Sequence, residues 1–132
     1  MRWSIVSVAA VLAAVVTSSP AAAESRVVKS GVETPLAWLG IYNTTTCTTM
    51  PLPVVNVIEQ PKHGTLTVGR ANRKIQSNNL CDGREISVMV ALYRSRAGFH
   101  GADRAVFDVS RERSTLGIHR REDRYTIDID VK

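Results

Sequence analysis

Tyr125-Thr126-Ile127-Asp128-Ile129-Asp130-Val131-Lys132 closes the chain with a strict alternation of apolar and polar residues. Successive side chains of an extended strand point to opposite faces. The stretch therefore predicts a strand with Tyr125, Ile127, Ile129 and Val131 inward and a wet outer face. Ala105, Phe107 and Val109 alternate with Arg104 and Asp108 in the same way, with Val106 as the one blemish. Ile86–Tyr93 is β-branched and largely apolar on both faces, which predicts a central strand of a sandwich and not an edge.

Shorter runs extend the pattern toward the amino end: Thr65–Val68, Val54–Ile58, Leu36–Tyr42 and Arg26–Lys29. Turn-forming residues separate them at Pro61-Lys62-His63-Gly64, Asn78-Asn79, Asp82-Gly83, Ala97-Gly98 and Gly101. Pro51 and Pro53 cannot sit inside a sheet, so they bound the run that follows. About seven short strands with turns between them and no helical period predict an all-β antiparallel sandwich. Gly69–Leu80 is polar and basic and reads as a long hairpin loop. Arg111–Arg124 is a second charged stretch, with a short strand expected around Leu116-Gly117-Ile118.

The amino end has the composition of a cleavable export signal. Arg2 precedes an Ala/Val-rich run from Ile5 to Val16, then Pro20, then Ala21-Ala22-Ala23. The run is about a dozen residues, whereas a membrane-spanning helix needs about twenty. Residues 1–23 are thus expected to be a signal peptide and residues 24–132 a single domain without a transmembrane segment, periplasmic or secreted. Two cysteines, Cys47 and Cys81, are expected to pair, because thiols oxidise outside the reducing cytoplasm. Neither lies in a Cys-x-x-Cys or beside a His at ligand spacing, so a structural staple is the reading.

Two motifs resemble those of bacterial cadherin-like, or VCBS-type, immunoglobulin-like domains. Pro61-Lys62-His63-Gly64 opens a strand as their Pro-x-His-Gly turn does. Tyr93 followed by Gly98-Phe99-His100-Gly101-Ala102-Asp103 and an aromatic-containing strand matches their later Gly-Phe-x-Gly-x-Asp pattern. The likeness spans Pro61–Val109 and rests on turns. It implies an immunoglobulin-like sandwich in which Pro61, His63, Gly64, Gly98, Phe99, Gly101 and Asp103 are fold-making residues. Phe99 is expected to plug one end of the sandwich, and Asp103 to bond turn amides. The family's domains occur in tandem in surface proteins, whereas this chain holds one copy and adds a cysteine pair.

Candidate chemistry is sparse. No Gly-x-Ser-x-Gly or cofactor motif is present, and neither catalytic residues nor a cofactor are expected. A small metal-binding or hydrolytic protein using His63, His100 and nearby acids is the alternative, with His119 in a charged run. Asp128 and Asp130 share one strand face, which an alternating strand must make polar in any case. The chain carries 17 basic and 12 acidic residues, with a net charge of +5. Arg111, Arg113, Arg120, Arg121 and Arg124 crowd one stretch, while Arg70, Arg73, Lys74 and Arg84 gather around another. Arginine forks suit carboxylate or phosphate, so the expected role is surface contact with a protein or an acidic glycan of the envelope. Nucleic acid is not the expected partner, because the aromatics are not interleaved with the basic residues. A structural subunit of an envelope assembly is a further alternative.

Overall fold

The alternating carboxyl-terminal stretch lies inside a four-stranded sheet of the computed structural model, which describes residues 23–112 and 120–132. In chain order the strands are β1 (Glu24–Val28), β2 (Thr34–Leu39), β3 (Val54–Glu59), β4 (Gly64–Lys74), β5 (Glu85–Ser95), β6 (Gly101–Glu112) and β7 (Arg120–Val131). No helix among the described residues is long and apolar enough to cross a membrane.

One sheet has the order β1-β7-β6-β3 and the other β2-β5-β4. Placing β2, β5 and β4 opposite β3, β6 and β7 reproduces the immunoglobulin-like partition of strands between two sheets. Pairing is antiparallel with one exception. β1 lies parallel to β7, matching Glu24 with Ile127 and Val28 with Val131, in an otherwise antiparallel sandwich.

The inward residues of both sheets share one core. Ile127, Ile129 and Val131 of β7 and Ala105, Phe107 and Val109 of β6 meet Leu36, Leu39, Leu66, Ala91 and Tyr93 from the other sheet. A bulge in β2 brings both leucines inward. Pro35 pairs with Leu92 and Ala37 with Ala91, so Leu36 is an extra residue that resets the phase. Without it, Leu36 and Leu39 would face opposite sides.

β5 is central, as its sequence predicts, and both of its faces are covered. Ala91 and Tyr93 enter the main core, whereas Ile86 and Val88 point the other way. There they join Ile75 and Cys81 in a second buried cluster, flanked by Tyr42, Cys47 and Ala71. The Cys47–Cys81 disulfide thus ties the β2–β3 loop to the β4–β5 loop on the outside of the three-stranded sheet. Asn43 shapes the first of these loops, its Oδ1 accepting from the Thr45 and Thr46 amides while its carbonyl takes the Cys47 amide. Asn79 and Asp82 shape the second by accepting from the amides of Cys81 and Ser77.

Two sequence expectations are revised. Gly69–Leu80 is not a loop throughout, because β4 continues to Lys74 in unbroken register with β5. Arg70, Asn72 and Lys74 are polar on the face of this edge strand that extends past the main core, while Ala71 on the other face packs against the second cluster and the backbone ladder persists. Likewise Arg111 and Glu112 end β6, and Arg120–Arg124 open β7. The strand expected around Leu116-Gly117-Ile118 lies outside the described residues, as do Arg113, His119 and the leader up to Ala22.

Candidate functional site

At the end of the sandwich where β4 and β6 begin, the turn residues converge on one carboxylate. Asp103 is buried, with 8% of its surface exposed. Its Oδ1 accepts from the amides of Lys62 (3.0 Å) and Arg104 (2.9 Å), and its Oδ2 from the His63 amide (3.1 Å) and the Tyr93 hydroxyl (2.8 Å). A buried charge is tolerated when its lone pairs are filled in this way. Burial first, then the adjacent Asp103 carboxylate, push Tyr93 far above the ordinary phenol range, which keeps it a donor.

The rest of the motif positions that carboxylate. Pro61 is buried at the turn, and Gly64 begins β4 where any Cβ would lie 2.5 Å from the Arg94 carbonyl oxygen. Gly98 and Gly101 have φ of +81° and +135°, a region that other residues resist. Phe99 between them packs against the main core and stacks on His63 at 4.1 Å, which closes this end of the sandwich. His63 Nδ1 lies 3.1 Å from a terminal guanidinium nitrogen of Arg96. The seven fold-motif residues therefore form a structural knot.

An open cleft of about 310 Å³ adjoins this knot, lined by Glu59, Lys62, His63, Ala102, Asp103, Arg104 and Asp128. Its charged groups are largely spent on one another. Asp103 is filled as described, and Arg104 Nε donates to Asp128 at 2.8 Å, which raises the Arg104 pKa. His63 lines the cleft and His100 is exposed. Among the described residues no three His, Cys, Asp or Glu side chains are grouped to hold a metal ion. No family model, curated protein or solved structure matches the chain.

The basic residues divide into two sets at the opposite end of the molecule. In the β6–β7 hairpin each described arginine has an intramolecular partner. Arg124 donates to both oxygens of Asp108 at 2.7 and 2.8 Å, which holds the Asp108 carboxyl below its ordinary pKa. Arg121 bonds Asp123 at 2.8 Å, Arg111 bonds the Tyr125 hydroxyl at 3.1 Å, and Arg120 bonds Ser110. Cross-strand register brings Asp108 opposite Arg124 and Arg104 opposite Asp128, so the outer face of this sheet carries opposite charges as neighbours.

Arg70, Arg73, Lys74 and Arg84 differ. All four are exposed on β4 and the loop after it, and none forms an ion pair among the described residues. Glu85 stands opposite Lys74 in the ladder without closing a bridge to it. The Arg73 guanidinium instead sits 5.0 Å over the Trp38 ring, across β5. The hairpin arginines are the denser set along the sequence, yet it is the set on β4 and the loop after it that lacks ion-pair partners among the described residues. Trp38 gives no signal of its own in the sequence, because it stands in a mostly apolar stretch, yet its indole is exposed on β2.

Proposed function

We propose that the chain is an exported, non-catalytic, cadherin-like β-sandwich domain that acts by surface contact with an acidic component of the cell envelope. The observation that carries this is the cationic strip of Arg70, Arg73, Lys74 and Arg84, without an ion pair among the described residues, on a frame fastened at both ends. Rigid sandwiches present binding groups on their edges and loops at little ordering cost. Export is supported by the disulfide, which persists in non-reducing compartments, and by β1 starting at Glu24, the first residue left by cleavage after Ala23. The cadherin-like reading draws support from the convergence of its turn residues on Asp103.

The test is equilibrium binding of the full chain to a polyuronate and to its methyl ester. It is run at about 0.15 M salt, where charges separated by more than about 8 Å are screened. The acidic polymer binds and the neutral ester does not. Equal binding of both, or of neither, overturns the proposal.

A second reading is a structural subunit that pairs through a sheet edge. It is favoured by Val54 and Ile58, both half exposed on the edge strand β3. Sedimentation across a concentration series separates a monomer from such an assembly.

A further inference from the structure

A second cleft, of about 240 Å³, lies on the outer face of the β2-β5-β4 sheet beside the disulfide loops. Its wall is Trp38, 41% exposed, with Tyr42 beyond it, and Ile86 and Val88 line it from β5. Arg73, on the same outward face as Ala71, supplies a positive charge, Gln76 and the backbone of Lys74 line the rim, and no carboxylate lines it. The cleft beside His63 holds three acids, Glu59, Asp103 and Asp128, against its bases. Of these two clefts, the Trp38 cleft is the one complementary to an anion.

We propose that this cleft binds one acidic sugar unit of a polysaccharide, a uronate or its like. The inference rests on the envelope-binding reading and gives it a site and a ligand class. An indole beside aliphatic side chains matches the apolar C–H face of a pyranose, while Arg73 matches its carboxylate. The Arg73 guanidinium lies 5.0 Å over the Trp38 ring, which places a cation with a planar fork of donors at the cleft beside the indole. The disulfide supports the site from below. Cys81 is fully buried against Ile75, Ile86 and Val88, so the bonded loops hold the cleft floor in one arrangement.

The experiment follows indole N–H resonances of the full chain by NMR during titration. The chain has two tryptophans, Trp3 and Trp38, and Trp3→Phe assigns them. The probes are an oligogalacturonate, its methyl ester, and an oligoglutamate of equal charge. The oligogalacturonate shifts the Trp38 signal, the ester does not, and the oligoglutamate binds more weakly without moving it. Trp38→Ala and, as a variant on the exposed edge strand, Arg73→Gln each weaken oligogalacturonate binding about tenfold. Equal binding of the oligoglutamate, or an unmoved Trp38 signal with oligogalacturonate bound, overturns the saccharide site and leaves the cationic strip standing. Failure of every acidic probe to bind overturns both.

Discussion

The Tyr93 hydroxyl donates to Asp103 Oδ2 at 2.8 Å, joining the central strand of one sheet to the first turn of β6 in the other. Tyr93 is fully buried, so this is a polar tie within the core. Both Asp103 oxygens face donors, and Asp103→Asn would set an amide N–H₂ against donors whichever way it flips. Unfolding in urea is expected to show a loss of about 2–4 kcal/mol for Asp103→Asn and about 1–2 for Tyr93→Phe. The double variant should lose less than the sum, since the two share one interaction. Full additivity would show the tie to be energetically idle.

The same tie sets an alkaline limit. Tyr93 has its pKa raised in the folded state, so its contribution is complete below the ordinary phenol pKa of about 10. Above that pH the unfolded tyrosine ionises while the folded one keeps its proton, and stability falls as pH rises. Denaturation of the wild type and Tyr93→Phe between pH 8 and 11 should therefore converge toward the upper end. A constant gap contradicts the assignment.

Gly64 and Gly69 lie on one strand yet should respond oppositely to alanine. A Cβ at Gly64 meets backbone at 2.5 Å, whereas one at Gly69 meets nothing within 4 Å. Gly64→Ala is expected to destabilise by about 1–3 kcal/mol, as overpacking does. Gly69→Ala is expected to be neutral or mildly stabilising, since glycine weakens strand interiors. Thermal melts of the two variants decide it.

Much of this fold was legible because a strand's period of two is local. β7 follows from Tyr125–Val131 alone, and β5 from its two apolar faces. The turn chemistry of Pro61–Gly64 and Gly98–Asp103 was legible as well, down to Asp103 bonding turn amides. The partners were not, since Lys62 and His63 lie about forty residues from Asp103 and only the sheet packing joins them. The length of β4 was hidden because Ala71, and Ile75 just past its end, are its late members of the second cluster, too few to give an alternating signature among Arg70, Asn72, Arg73 and Lys74. The pairing state of each arginine was hidden for a related reason. Density along the chain points to Arg111–Arg124, but the β6–β7 pairing gives Arg111, Arg120 and Arg124 partners on the facing strand, and Arg121 bonds Asp123 of its own strand.

Removing both cysteines should cost about 3–4 kcal/mol by loop entropy for a closure of 34 residues in sequence. The loss should also be local. Hydrogen exchange is expected to rise first at the Ile75 and Gly83 amides, which hold the β4–β5 loop, and last in β6 around Ala105–Phe107. Uniform loss of protection would show that the disulfide stabilises the whole domain without fastening the outer face.

The central claim is that the strip on β4 and the loop after it, which forms no ion pair among the described residues, and not the denser hairpin arginines, contacts the envelope polymer. Two variants that remove equal charge test it: Arg70→Gln, Arg73→Gln, Lys74→Gln and Arg84→Gln together, against Arg113→Gln, Arg120→Gln, Arg121→Gln and Arg124→Gln together. Affinity for a polyuronate at about 0.15 M salt should fall about a hundredfold or more in the first. The second should lose about tenfold or less, the share owed to net charge alone. An equal or larger loss in the hairpin variant contradicts the account.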